Sequence, residues 1–201
     1  MERKPKLTDY WPQFAFLLMA VFIFHSSVSG RTVDIDGVNE RVYLSCAEDN
    51  VQANDLIVFT LCNFERWVQK YLPNSHLVIT RHLKPKEFCH VPGGFSQHCG
   101  DGKRANAIDF YVDGHFTGEF CHDWDMYLHQ SDLFEQFLKE FGLYEIVGFG
   151  GVYALNTGKG NFIIHLDFRG KPGYWAYVED KELAVKAGRE RLREILKERC
   201  G

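Results

Sequence analysis

Phe162-Ile163-Ile164-His165-Leu166-Asp167-Phe168 is the stretch on which the fold turns. Its β-branched and aromatic residues predict a strand. It carries an imidazole and a carboxylate at i and i+2, which share one face of such a strand. His165 lies among Phe162, Ile163, Ile164 and Leu166, where a polar ring is costly unless something compensates it. The same anomaly recurs upstream. Ala107-Ile108-Asp109-Phe110-Tyr111-Val112 predicts a second strand, closed by a turn at Asp113-Gly114, with a carboxylate inside an apolar run. His98 stands shortly before it, in Ser96-Gln97-His98. Two imidazoles and one carboxylate make a complete three-ligand set for a catalytic zinc ion, with a fourth position left open. Adjacent strands, ~4.8 Å apart, can bring His98, Asp109 and His165 to one metal.

Working outward, residues 54–72 carry apolar side chains at helical spacing, with Asn54 as N-cap and Pro73-Asn74 as stop. Residues 77–80 are a short β-branched run, hence a strand. Residues 84–105, rich in Gly and Pro, predict a long loop, and long ordered loops are often functional. Residues 133–141 read as a helix capped by Ser131 or Asp132 and stopped by Gly142. Residues 146–153 and 162–168 read as strands, and 179–199 as a charged amphipathic helix. Residues 31–45 alternate around Asp36-Gly37 as a small hairpin. The order is helix, strand, strand, helix, strand, strand, helix. It predicts an α+β fold with a mostly antiparallel sheet flanked by helices.

The rest of the chain narrows the address. Of 201 residues, 45% are hydrophobic and 25% charged, a globular composition large enough for one domain with a proper core. The formal net charge of -4 argues against a nucleic-acid partner, which requires a basic face. Arg3, Lys4 and Lys6 precede an unbroken apolar run over residues 14–24, and Ser27-Val28-Ser29 follows with small side chains. That order predicts a signal peptide over residues 1–29, ahead of a domain over 30–201. The alternative is an uncleaved signal anchor, the chain's sole link to a membrane. The protein is therefore expected to be secreted or periplasmic. All six cysteines lie after the signal, an even count that suggests disulfides, in any of 15 pairings. His122, Asp123 and Asp125 form a second His/Asp cluster, which reads as a solvated loop.

These residues together resemble the zinc D-alanyl-D-alanine carboxypeptidase superfamily, whose fold is shared with the Hedgehog signalling domain. That family's first motif, S-x-H-x-x-G-x-A-x-D, is matched by Ser96-Gln97-His98 and Ala107-Ile108-Asp109. Its second, G-G-V-G-x-Y-P followed by F-[IV]-H-[LV]-D-x-R-G, is matched by Gly150-Gly151-Val152 and by residues 162–170, with Tyr174-Trp175 beyond. The likeness spans roughly residues 50–178 and implies a zinc peptidase-like domain. His98, Asp109 and His165 would be the Zn2+ ligands, and the reaction hydrolysis of peptidoglycan-type peptides. Non-catalytic binding of cell-wall peptides by a zinc-containing module is the alternative.

The chain departs from the family pattern in three places. His98 and Asp109 are 11 positions apart rather than the family's usual 7. Where the family has a substrate-gripping Arg in I-T-S-G-Y-R, this chain has Ile79-Thr80-Arg81-His82-Leu83-Lys84, which makes Arg81 and Lys84 the candidates for holding a substrate carboxylate. The Glu or His that serves the family as acid/base ahead of the final His is absent from residues 156–162. Asp167 and His122 are the candidates for that role, with His115 and Glu119 as further options. Asp167 could instead orient His165 as a hydrogen-bond acceptor.

Overall fold

The computed structural model describes residues 42–46, 51–81, 89–91, 94–95, 97–100, 103–153, 162–178 and 181–201. The signal segment, most of the expected hairpin over 31–45, and Lys84 lie outside them.

The first helix, α1 (Asp55–Val68), starts where its sequence says it should: the Asn54 side chain accepts from the Leu56 N–H at 2.9 Å. The second, α2 (Phe120–Glu140), is far longer than residues 133–141. His122, Asp123 and Asp125 belong to its first turns, not to a loop. Its middle is polar in sequence because Gln130, fully buried, donates to the Val112 carbonyl at 2.7 Å and accepts from the Val112 N–H at 3.1 Å. The amide thus serves backbone groups that would otherwise stand unpaired in the interior. The third helix, α3, spans Val185–Cys200.

Among the described residues nine strands accompany these helices: β1 (Val42–Tyr43), β2 (His76–Arg81), β3 (His90–Val91), β4 (Gly94–Phe95), β5 (Ala107–Asp113), β6 (Gly148–Tyr153), β7 (Ile163–Asp167), β8 (Gly173–Val178) and β9 (Lys181–Leu183). Seven form one sheet in the order β1-β2-β5-β7-β6-β8-β9; β3 and β4 pair separately, inside the stretch expected to be loop. The α+β class holds, but the sheet is mixed rather than mostly antiparallel. The cause is local. The chain leaves β7, skips over β6 in a short turn and enters β8 on the far side, so β8 must run parallel to β6. β8 lies in a stretch to which the sequence assigned no element, and β9 where it placed the start of the last helix.

The two faces of the sheet differ. Ile108, Phe110, Ile164, Leu166, Phe149, Ala176 and Val178 belong to one buried cluster with residues of all three helices. Phe64 of α1 and Phe134 of α2 meet Phe110 edge-on at 6.1 and 5.0 Å between ring centres. The alternate residues point the other way, and the unusual polar residues are among them.

All six cysteines pair: Cys46 with Cys62, Cys89 with Cys99, Cys121 with Cys200. Such pairing is consistent with an oxidising, extracellular type of compartment. Among the described residues, no helix is long and apolar enough to cross a membrane.

Candidate metal centre

Strand register builds the site. Asp109 of β5, His165 of β7, Gly150 of β6 and Trp175 of β8 are consecutive cross-strand neighbours. They form a row across the face turned away from the helices. Arg81 occupies the β2 position opposite Asp109 in the same row. A second row, one step along the strands, holds Ala107, Asp167, Gly148 and Gly173.

His98 arrives from outside the sheet. It lies in a 3-10 turn, Gln97–Cys99, just before β5. The Asn106 N–H donates to the Gln97 carbonyl at 2.8 Å, and the Cys89–Cys99 bridge anchors the residue that follows His98. The stretched connection from His98 to Asp109 is therefore tied at both ends, and the two ligand candidates still meet.

His98, Asp109 and His165 each offer one ligand atom, and these atoms lie within 4.8 Å of one another. His98 Nε2 is 3.3 Å from Asp109 Oδ1, and His165 Nδ1 is 2.8 Å from the same oxygen. A tetrahedral ion with bonds of ~2.0–2.1 Å spaces its ligand atoms ~3.3 Å apart. The three residues are 5–7% exposed. Buried groups of this chemistry, converging at this spacing, fit a divalent cation.

The electrostatics follow from the crowding. Burial pushes the Asp109 carboxyl up, but hydrogen bonds from His165 and His98 outweigh it and hold the group well below the usual carboxylate range. Burial alone would lower the pKa of His165; bonds to Asp109 and Asp167 instead raise it to about 9. Asp167 is also pulled against its burial, chiefly by Arg169 and then by His165, down to about 2.

Asp167 does not share the metal point. It accepts on the far side of the ring, with Oδ2 2.9 Å from His165 Nε2. Its Oδ1 accepts from Arg169 Nε at 2.6 Å, and a second guanidinium nitrogen of Arg169 reaches Oδ2. Glycines make the room. A Cβ at Gly148 would fall 2.5–2.7 Å from both Asp167 oxygens and Arg169 Nε, and one at Gly150 would fall 2.4 Å from the Trp175 ring. Trp175 thus leans over Gly150 to within 5.2 Å of the His165 ring.

The result is a cleft of about 510 Å³ lined by Gln97, His98, His165, Asp167, Arg169, Lys171 and Trp175. Of the remaining candidates, His122 does not line it. Its Nδ1 lies 3.2 Å from Asp123 Oδ1, beside the turn before α2 in which Asp123 accepts from the Thr117 and Gly118 N–H groups. His115 contacts Ser75 Oγ at 3.0 Å, and Glu119 is the N-cap residue of α2; neither lines the cleft. Arg169, Gly148 and Lys171 escaped the sequence reading as individual contributors. The signal for Arg169 was present, since 165, 167 and 169 continue a period-two pattern.

Family models, curated proteins and solved structures were each compared with this chain, and none matches it.

Proposed function

We propose that the protein is an exported zinc hydrolase that cleaves peptide bonds in peptidoglycan-type peptides. The observation that supports this reading best is the convergence of His98, Asp109 and His165, of which the two histidines line a cleft. Three protein ligands of this kind leave a coordination position for substrate. A bound zinc ion would supply Lewis-acid polarisation of the scissile carbonyl and acidify a water molecule. The chain's own part is to fix the three ligand atoms, to shield them beneath Trp175, and to present Lys171 at the cleft edge. Asp109 and His165 come from paired strands, so sheet register sets their relative position, while His98 is added from the disulfide-tethered turn before β5.

One observation favours a second reading, a zinc-bearing module that binds such peptides without cutting them. The described part of the cleft contains one carboxylate beyond the ligand, Asp167, and both of its oxygens are engaged by His165 and Arg169. A general base needs a lone pair within reach of the proton it removes.

Metal analysis of the purified chain, followed by amine release from peptidoglycan stem peptides, tests both readings. The enzyme reading expects about one zinc per chain and turnover that disappears in His98→Ala while the fold is retained. Stoichiometric zinc and peptide binding with no amine release would replace the enzyme by the module. A chain that takes up no divalent metal removes both.

A further inference from the structure

Resting on the metal reading, we infer that Arg169 is a positioning residue for the metal centre, acting on His165 through Asp167, and that Asp167 is an orienting acceptor rather than a proton-transfer group. The three residues alternate along β7 and its extension, so their side chains emerge on one face. His165 has two ring nitrogens with separate duties. Nδ1 faces Asp109 and the ligand point, while Nε2 faces Asp167. A hydrogen bond at Nε2 settles which nitrogen is free to coordinate and fixes the plane of the ring.

Asp167 can do this only if its own carboxylate is fixed. A short side chain still turns about its terminal torsion, which is broad and roughly two-fold. Arg169 removes that freedom by donating to both oxygens in a fork. The guanidinium also neutralises a fully buried carboxylate that would otherwise add a second negative charge beside the metal point. The missing side chain at Gly148 is a further requirement, because a Cβ there would strike the carboxylate and the guanidinium together. Arg169 is itself only partly buried, with its side chain 30% exposed, so its replacement leaves the apolar core untouched.

The experiment compares metal binding by wild type, Arg169→Gln, Arg169→Lys and Gly148→Ala. Affinity for Zn2+ is measured by competition with a chromophoric chelator, and the visible absorption spectrum of the Co2+-loaded protein reports ligand geometry. Circular dichroism checks the fold of each variant. Arg169→Gln is expected to weaken Zn2+ binding roughly 10- to 100-fold and to alter the Co2+ spectrum without loss of fold. Arg169→Lys is expected to recover only part of this, since an ammonium supplies the charge but not the fork. Gly148→Ala changes no charge and is expected to weaken binding in the same direction. Wild-type affinity and an unchanged Co2+ spectrum in Arg169→Gln would overturn the inference alone. Absence of metal binding in the wild type would overturn the metal reading and this inference with it.

Discussion

His165 is the residue on which the most interactions converge, and its proton is their most accessible readout. Without metal the ring sits between two carboxylates, with Nδ1 toward Asp109 and Nε2 toward Asp167, and its pKa is raised to about 9. An unfolded histidine titrates near ~6.5. The charged ring therefore stabilises the metal-free fold fully below pH ~6.5, and that contribution is lost as pH rises through about 9. A coordinating imidazole must be neutral at the ligating nitrogen. At pH 7.5, uptake of a divalent cation should expel about one proton from the site, falling towards none above pH ~10. Calorimetry in buffers of different ionisation enthalpy measures that count. A pH-independent absence of proton release would contradict a charged His165 in the metal-free protein. The His-Asp-His group was legible in sequence because a His and an Asp inside apolar strands are costly anomalies. A proton-transfer group was not legible. Nothing local in sequence distinguishes a histidine in a cleft from His122, which contacts the Asp123 carboxylate in the first turn of α2.

Among the elements, the strands that carry ligands were readable from composition, whereas β8 and β9 were not. Gly173-Tyr174-Trp175-Ala176-Tyr177-Val178 becomes a strand because β6 offers it a parallel edge. The first half of α2 was hidden for a related reason: Ser131 or Asp132 reads as an N-cap, but the helix runs through them and Gln130 is spent on the backbone of β5. The disulfides divide these elements by task. Cys89–Cys99 closes a separation of 10 residues around the turn that carries His98, while Cys121–Cys200 closes 79 residues between the start of α2 and the end of α3. Chain-entropy arguments assign roughly 2.7 and 4.5 kcal/mol to loops of those lengths. Replacing Cys121 and Cys200 by Ser should therefore give the larger fall in denaturant midpoint and leave Zn2+ affinity unchanged. Replacing Cys89 and Cys99 should cost less stability but weaken Zn2+ binding, because His98 then hangs on an untethered loop. Equal metal affinity in the two double variants would show that the Cys89–Cys99 bridge has no part in holding the ligand.

For the molecule as a whole, the sheet separates two jobs. One face is packed on the helices through a continuous apolar cluster; the other carries the candidate metal group and the cleft. Arg189 of α3 shows how far the helical side depends on its own chemistry. It is 5% exposed, pairs with Glu135, and lies 2.8 Å from Asp132, both on α2. It also stands 5.9 Å from the centre of the Phe149 ring, on the helix-facing side of β6. Burial lowers its pKa below the usual guanidinium value, and the neighbouring Asp132 pulls the other way. The pair therefore locks α2, α3 and the sheet at one point, behind the strand that holds Gly148 and Gly150. Removing Arg189 leaves Glu135 still bonded to Lys139 and Tyr144, and Asp132 still paired with Arg193, so the cost falls below the ~3–5 kcal/mol of a stranded buried charge. Arg189→Ala should lower the thermal midpoint by several degrees, while Arg189→Met, which keeps the volume and the contact with Phe149, should lose less. Neither change touches the opposite face, so Zn2+ affinity measured well below the transition should stay within about twofold of wild type, as sites without shared partners behave additively. A coordinated loss of metal affinity in Arg189→Ala would mean that the helical layer sets the register of β6 and β7. The two faces would then have to be treated as one mechanical unit.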